Sequence, residues 1–437
     1  WMRWRAEPNP LWMREMRQST RLLRTPIILM VLTMLFTLML SSIGGVMAGS
    51  ASPAKVGMAM FQVYFSVAWF VVTLVGPALA ANSIASEREG KTWEAVLLTG
   101  MRPDVITRGK FLSAFTAIAM YVVMLAPVGA LPFLFGGVSP IEVLMAFGFL
   151  FVIALLAVTF GLAVSAKMES LRGALLVSLL VAVPLSSFCF GLFGVAAADI
   201  AHNYWNAVPD EMPVWLPVAL SRVPFSWRYV VYLVALPMAG LGLPAWLLYE
   251  VTRANLTSVT DDRTYGLKRW FLIATVVLTA AAMVPILSAK PRHYAEAHIF
   301  GLACFTIFIT FCAFLFAGEP IGPSRRVRKS LEGLSRWRRL LSPGVTKTTR
   351  MQMIAAALSL ITLVAAGVFM VQVAGTTGTL STVKLEKQTW QLLVFGLYAL
   401  GFSLFVIGLA SFLRSRSSTA LVPRVLLLVV LFVLSSG

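Results

Sequence analysis

Charged residues are scarce in this chain. Asp, Glu, Lys and Arg make up 12% of its 437 residues, whereas hydrophobic residues make up 59%. Soluble domains have about a quarter charged residues, so the composition excludes an ordinary water-soluble protein and indicates the membrane class. Cysteine is also rare. Cys189, Cys304 and Cys312 all lie in apolar runs without metal-ligand spacing, which favours small buried side chains over a metal or redox site.

Acidic residues are half as numerous as basic ones, 18 against 36, and the formal net charge is +18. On a soluble protein this excess of positive charge would suggest binding to nucleic acid. In this chain the basic residues are instead distributed as a membrane topology predicts. Eleven apolar runs are long enough to cross a bilayer as helices. With a cytoplasmic N-terminus, 29 of the 36 basic residues lie on cytoplasmic segments. We therefore predict an all-α polytopic membrane protein whose partner is the lipid bilayer and not nucleic acid.

The segments between and around these runs divide the chain. We predict a cytoplasmic interfacial helix in 1–26, a six-helix domain in 27–250, two further spans in 251–317, a basic cytoplasmic connector in 318–350 and truncated C-terminal spans in 351–437. The six-helix domain would include a cytoplasmic loop, 83–110, and an external loop rich in Pro and Trp, 199–228. The predicted spans are 27–47, 57–82, 111–135, 141–165, 174–198, 229–249, 270–288, 298–317, 351–374, 391–412 and 421–437.

The N-terminal segment "NPLWMREMRQSTRLLRT", residues 9–25, mixes Leu, Trp and Met with four arginines. Apolar and basic residues at helical spacing are typical of an amphipathic helix lying in a membrane interface. We therefore predict that this helix leads into the first span on the cytoplasmic side.

The triplet Gly90-Lys91-Thr92 is similar to the end of a phosphate-binding loop, but the rest of that motif is missing. A Walker A loop needs a glycine five residues before Gly90, where this chain has Ala85, and it needs a preceding strand, where this chain has an apolar run. The pattern "HYAEAH", 293–298, lacks the histidine spacing of a zinc protease helix. We therefore predict no ATP site, no metal site and no cofactor on this chain.

The predicted spans contain almost no ionisable residues. Glu142, Glu250 and His298 lie at the ends of spans, where a charge can reach water. A proton- or sodium-coupled carrier usually has carboxylates at membrane depth. Their scarcity favours a protein whose energy source lies outside the lipid.

The loop 83–110 contains a short apolar cluster, Trp93, Val96, Leu97 and Leu98, flanked by charges. We predict that this cluster lies on a short helix. The helix is either a surface element packed against its own bundle or a docking element for a cytoplasmic partner, and composition does not separate these two possibilities. Its apolar character argues against a simple solvated loop.

At these residues the chain resembles the ABC-2 type permeases, the membrane subunits of ATP-binding cassette exporters. The stretch "EREGKTWEAVLLTGMRPDVITRGK" is similar to the E-R-E-x-G-T-x-E-x-L-L-x-[ST]-P…GK stretch of that family, and "NPLWMREMR" is similar to its N-terminal connector helix. The chain departs from the pattern through an extra Lys91 and through the triplet before Pro103. The resemblance covers roughly residues 9–250, so the later spans go beyond it.

The resemblance implies a transport subunit that is not an enzyme and that lies in a bacterial plasma membrane. A separate ATP-binding cassette ATPase, which holds ATP and Mg, would dock on the 83–110 loop, with a smaller contact from 167–173. A second permease copy or homologous permease would complete a dimer. The connector-helix residues would be Arg14, Glu15 and Arg17. The coupling residues would be Glu87, Arg88, Glu89, Thr92, Trp93, Glu94, Leu97 and Leu98.

In this interpretation Glu87 and Glu89 would pair with basic residues of the ATPase, and Trp93 and Leu97 would anchor the contact. A self-contained secondary carrier or lipid flippase without an ATPase partner is the alternative hypothesis. A non-transporting membrane scaffold is a third class. An intramembrane enzyme is disfavoured, because no Ser/His arrangement, Asp pair or metal cluster falls at membrane depth in the sequence.

Overall fold

The computed structural model describes residues 9–20, 24–47, 49, 51–191, 221–258, 261–284, 293–316, 319, 322–331, 339, 341–377 and 381–416. It is 87% helical, and no strand occurs among these residues. Ten helical stretches within them are long and apolar enough to cross a membrane, which confirms the all-α polytopic class. The eleventh predicted span, 421–437, and most of the predicted external loop 199–228 lie outside the described residues.

The chain forms two compact units, Trp1–Thr257 and Ser258–Gly437. The helices of the first unit are α1 (Pro10–Thr20), α2 (Arg24–Met47), α3 (Pro53–Glu89), α4 (Trp93–Leu98), α5 (Pro103–Met124), α6 (Ala126–Leu134), α7 (Pro140–Ser165), α8 (Leu171–Phe190) and α9 (Trp227–Leu256).

Helix α3 is the centre of the first unit and packs against α2, α5, α6, α7 and α8. Its buried face carries large aromatic side chains, among them Tyr64, Phe65 and Trp69, each no more than 1% exposed. Aromatic rings bury large areas and add edge-to-face contacts, and Tyr64 and Phe65 make such a contact with centroids 5.0 Å apart. This aromatic face holds the unit together around α3.

Small residues allow α3 and α7 to approach closely. A Cβ atom added to Gly161 would lie 2.3 Å from the carbonyl oxygen of Pro77, and one added to Gly76 would lie 2.8 Å from the Cβ of Ala157. Close backbone approach at small residues is the usual way in which membrane helices pack without a hydrophobic driving force. The C-terminal half of α3, which leads to the candidate site, is thereby fixed against α7.

Helix α3 is longer than the sequence predicts. It has 37 residues and ends at Glu89, whereas the apolar run predicts an end near residue 82. Helix α5 likewise begins at Pro103 and not near residue 111, because a proline in the first turn needs no hydrogen-bond partner for its nitrogen. The predicted loop 83–110 therefore consists mostly of helix ends, with α4 between them.

Among the residues that the structure describes, the second unit has four long helices and one short one. These helices are α10 (Tyr265–Ala282), α11 (Tyr294–Leu315), α12 (Arg325–Leu331), α13 (Val345–Thr376) and α14 (Thr382–Arg416). The long helices α10, α11 and α13 pack against one another, and α14 packs against α11 and α13.

A histidine joins α11 to α13 inside the second unit. His298 is fully buried, and its Nε2–H donates to the carbonyl oxygen of Leu363 at 2.6 Å. Gly367 makes room for the ring, since a Cβ there would lie 2.4 Å from the Cδ2 of His298. The histidine that the sequence places in "HYAEAH" is therefore part of the packing between two spans.

Candidate functional site

The candidate site lies where α3, α4 and α5 meet, next to α1. Helix α3 ends at Glu89, and a three-residue turn follows in which Lys91 has a left-handed φ of 54°. The N–H groups of Gly90, Lys91 and Thr92 donate to carbonyl oxygens in the last turn of α3 at 2.9–3.1 Å. A phosphate-binding loop presents such N–H groups to its ligand, whereas here they fix the direction in which α4 leaves α3.

A network of four charged residues joins α1, α3 and α5. At its centre Lys110, 1% exposed, lies with its Nζ 2.8 Å from Glu87 Oε1 and also pairs with Glu15. Arg14 contacts the same Glu87 oxygen at 2.6 Å, and Ser113 donates to Glu15. Ion pairs that leave water are favourable only when each charge is matched and hydrogen-bonded. These four residues, Arg14, Glu15, Glu87 and Lys110, are called the ion network below.

Helix α1 lies directly on α5 because of a glycine and an asparagine. A Cβ added to Gly109 would lie 2.6 Å from Asn9 Oδ1 and 2.8 Å from the Cβ of Leu11. Asn9 caps the start of α1 by accepting the N–H of Leu11 at 3.0 Å, and its Nδ2 donates to the carbonyl oxygen of Val105 at 2.8 Å. Gly109 thus provides the space, and Lys110 next to it provides the charge.

Two residues of the last turn of α3 bind the connection between α7 and α8. Glu89 Oε2 accepts the N–H of Leu171 at 2.8 Å and so caps the start of α8. Arg88 donates to the carbonyl oxygen of Met168 at 3.3 Å and lies over the ring of Trp93, 5.6 Å from its centroid. Sequence reasoning predicts that Glu87 and Glu89 pair with a partner protein, whereas in the structure both are engaged within this chain.

Helix α4 has one buried and one exposed face. Val96 is 5% exposed and packs in the core cluster of the unit, and Trp93 packs against the same cluster while partly exposed. Glu94 is exposed, and Leu98 is 86% exposed. The side chain of Leu97 lies outside the described part of the chain. Trp93 is therefore mainly a packing residue, and the outward face of α4 is marked by Glu94 and Leu98.

The two remaining predicted site residues lie at the margins. Thr92 is exposed, and its hydroxyl donates to the carbonyl oxygen of Glu87 at 3.2 Å, so it stabilises the turn before α4. Arg17 lies exposed on α1, one turn after Arg14.

A cleft of about 810 Å³ opens between α1, α3, α4 and α5. Lys110 and Glu87 line its charged side, and Leu79, Val96 and Met101 contribute apolar surface. The ends of the four helices thus surround a space of the size that small-molecule sites usually have, and α4 covers one side of it.

Two buried carboxylates at other ends of the spans in the first unit also have partners. Glu142, 2% exposed, accepts from Arg222 Nε at 2.6 Å. Glu250, 3% exposed, accepts from Trp246 Nε1 at 3.2 Å and pairs with Arg253 at 3.4 Å. Both carboxylates are thereby compensated where the sequence places them, at helix ends.

The "HYAEAH" pattern does not gather its residues into one cluster. His293 pairs with Glu296 at 2.8 Å on an exposed first turn of α11, whereas His298 faces α13. Among the residues that the structure describes, no group of three or more His, Cys, Asp and Glu side chains could hold a metal ion.

Sequence reasoning singled out Arg14, Glu15 and Glu87 of the ion network, but it assigned no role to three other residues that organise the site. Lys110 and Gly109 belong to the GK pair of the motif, yet the resemblance assigns them no role in coupling. Asn9 is the first residue of the connector motif and makes the contact with α5. The sequence signal that could have identified these residues is their position in the two motifs. Asn9 and Gly109 lie where α1 contacts α5.

Comparison of the chain with models of protein families, with curated proteins and with solved structures found no match.

Proposed function

We propose that this protein is the membrane-spanning permease subunit of an ATP-driven exporter and that a separate ATPase subunit docks on α4. The observation that carries the proposal is the way α4 is built. It is a short helix that shows Glu94 and Leu98 to solvent, while its other face and the helices on both sides are fixed to the unit.

An exposed leucine beside an exposed carboxylate suits a protein contact. Leu98 at 86% exposure supplies apolar surface, and Glu94 next to it supplies a charge that selects a basic partner surface. In this proposal Leu98 and Glu94 make the contact with the ATPase. Trp93, Glu87 and Glu89 keep the contact surface in place.

The ion network supports a role in transmitting force. Lys110 on α5 and Arg14 on α1 both contact Glu87, two residues before the end of α3. The turn between α3 and α4 is closed by backbone hydrogen bonds. A displacement of α4 by the ATPase would therefore move the ends of α1, α3 and α5 together, and α3 would carry the movement through the membrane along its contacts with α7 and α8.

The buried charges of the first unit favour an external energy source. Lys110, Glu142 and Glu250 lie at or near the ends of the apolar runs and are compensated by neighbours in the chain. A carrier driven by an ion gradient needs a charge that binds and releases the ion within the membrane. We therefore favour the ATP-driven subunit over the self-contained carrier or flippase.

The proposed assembly contains a second permease copy. In α2 only 11% of the apolar stretch is buried within the chain, the lowest share among the ten candidate spans. Its exposed side chains, such as Met30, Met34 and Leu38, are large and flexible. In the proposed dimer this face of α2 packs on the second copy, and lipid covers the remaining exposed spans.

Affinity purification of the tagged full chain from its native membrane tests the docking proposal. We expect an ATP-binding protein to copurify with the wild type and to be lost from the variants Leu98→Asp and Glu94→Arg. Leu134→Asp is the matched control, because Leu134 is 75% exposed at the end of α6 and lies away from α4. Equal recovery of the ATPase with all variants, or ATP hydrolysis by the purified chain alone, would contradict the proposal.

A further inference from the structure

The second unit has a buried ion pair that joins both ends of a basic segment. Lys268 and Glu319 lie 2.6 Å apart, with side chains 1% and 0% exposed. Lys268 also donates to the carbonyl oxygen of Ser342 at 2.8 Å, and Glu319 accepts the N–H of Gly344 at 2.9 Å. The segment from Glu319 to Gly344 therefore starts and ends at the same place, the first turn of α10.

This place is at one end of the four long helices described in the second unit. Helices α10 and α13 begin there, at Tyr265 and Val345, and α11 ends there, at Leu315. The end of α14 reaches the same level, because Thr349 on α13 donates to Ser411 on α14 at 3.0 Å. All four long helices are candidate spans, so the buried pair marks a membrane surface.

Helix α12 lies within the pinned segment and turns its cations outward. Val327 is 5% exposed, whereas Arg325, Arg326, Arg328 and Lys329 are exposed. Arg326 lies 3.4 Å from Asp261 in a pair whose side chains are 76% and 40% exposed, and such a pair is weak. The inward valine and this contact place α12 against the start of α10.

Two neighbouring cations extend the charge. Arg263 precedes α10 and Arg350 lies in the second turn of α13, and both are exposed. We call Arg263, Arg325, Arg326, Arg328, Lys329 and Arg350 the basic face. All six belong to segments that meet at the buried pair or at Asp261, so their charges add at one membrane surface.

The acidic residues described at this end do not neutralise the basic face. Glu319 is buried against Lys268. Asp262 accepts the N–H groups of Thr264 and Tyr265 and so caps α10. Asp261 pairs with Arg326 at 3.4 Å, which offsets one of the six cations. The end of the unit therefore presents a net positive surface at the level of lipid headgroups.

We propose that the basic face binds the headgroups of acidic phospholipids in the adjacent leaflet. The positive-inside rule accounts for basic residues near the cytoplasm, but it does not require them to be held on a helix whose segment is pinned at both ends. Clusters of four or more cations next to membrane helices are typical sites for anionic lipids. Holding the cations in place lowers the conformational cost of binding several headgroups at once.

Native mass spectrometry of the full chain in detergent tests the proposal, with phosphatidylglycerol and phosphatidylcholine of the same acyl chains as the two probes. We expect the wild type to bind phosphatidylglycerol more tightly, and this preference to fall as ionic strength rises. The variant R325Q/R326Q/R328Q/K329Q should bind phosphatidylglycerol at least tenfold more weakly and phosphatidylcholine as before, because each cation near a headgroup contributes about fivefold. The single variants R328Q and K329Q, which leave the rest of α12 intact, should each lose about fivefold.

Two controls separate charge from position. The variant R325K/R326K/R328K keeps the charge and should stay within about twofold of the wild type. The variant K384Q/K387Q removes two exposed lysines from the start of α14, at the opposite end of the unit, and should bind phosphatidylglycerol as the wild type does.

Three outcomes would overturn the proposal. The first is that the quadruple variant binds phosphatidylglycerol as tightly as the wild type does. The second is that K384Q/K387Q loses as much affinity as the quadruple variant. The third is that the quadruple variant loses a bound acidic polypeptide and not the lipid, which would assign the basic face to a protein partner. None of these results depends on an ATPase, so the proposed function is tested separately.

Discussion

Glu87 on α3 accepts two cations at one oxygen. Its Oε1 lies 2.6 Å from Arg14 on α1 and 2.8 Å from Lys110 on α5. The two cations differ in exposure, since the side chain of Arg14 is 52% exposed and that of Lys110 is 1% exposed. The same carboxylate thus makes one solvent-screened pair and one buried pair, and the two have different energetic consequences.

Loss of the buried cation should destabilise the first unit strongly. Lys110→Met leaves Glu15 and Glu87 close together without their shared lysine, and removing one partner of a buried ion pair costs about 3–5 kcal/mol. The free energy of unfolding in mixed micelles measures the effect. Lys91→Met is the control, because Lys91 is exposed in the turn before α4. Equal stability of the two variants would contradict the assigned role of Lys110.

Loss of the exposed cation should matter much less. Arg14→Gln removes a pair in which the arginine is about half exposed, and pairs of this kind contribute at most about 1 kcal/mol. In the same unfolding assay Arg14→Gln should lie between the wild type and Lys110→Met, close to the wild type. A cost as large as that of Lys110→Met would show that both cations are needed to hold Glu87.

Contact between α1 and α5 should depend on Gly109. Gly109→Ala places a methyl group 2.6 Å from Asn9 Oδ1 and 2.8 Å from Leu11 Cβ, and overpacking of this kind costs about 1–3 kcal/mol. Gly148→Ala in α7 is the matched control, because nothing lies within 4 Å of the added methyl. It should be neutral or stabilising by up to about 1 kcal/mol, since alanine favours helix over glycine.

Hydrogen exchange should detect the loosened contact between α1 and α5 locally. Hydrogen exchange of α1 amides is expected to speed up in Gly109→Ala and to stay unchanged in Gly148→Ala. Unchanged exchange in both variants would mean that α1 is held to the unit by contacts other than this one.

Glu89 should act on α8 and not on a partner protein. Glu89→Ala removes the acceptor for the N–H of Leu171, and loss of a helix cap costs about 1 kcal/mol. Exchange of the Leu171 amide should accelerate in Glu89→Ala. Glu94→Ala, which changes an exposed carboxylate on α4, should leave that amide unaffected. Similar exchange in both variants would return Glu89 to the group of residues available for docking.

Much of the fold follows from hydropathy, because long apolar runs satisfy their own backbone only as helices in lipid. Hydropathy marks the hydrocarbon part of a helix and not its ends. For this reason the apolar run predicts an end of α3 near residue 82, although the helix continues through a charged turn to Glu89. For the same reason hydropathy does not predict the start of α5 at Pro103.

The candidate site was predicted in part. Sequence reasoning singled out α4, Glu15 and Glu87 and located α1 within 9–25, and the structure places these residues next to each other. It did not predict that Glu87 has its partners in the same chain, since Arg14 lies 73 residues away in sequence. A charged residue near a helix end is equally compatible with an internal pair and with a partner protein until the tertiary contacts are known.

Photo-crosslinking in native membranes tests the central claim most directly. A photoreactive phenylalanine analogue replaces Leu98 on the exposed face of α4 in one version of the full chain, and Leu134 at the end of α6 in another. The account predicts that position 98 forms an adduct with an ATP-binding protein and that position 134 does not. An intact complex in which position 98 forms no protein adduct, or in which position 134 captures the ATPase, would contradict it.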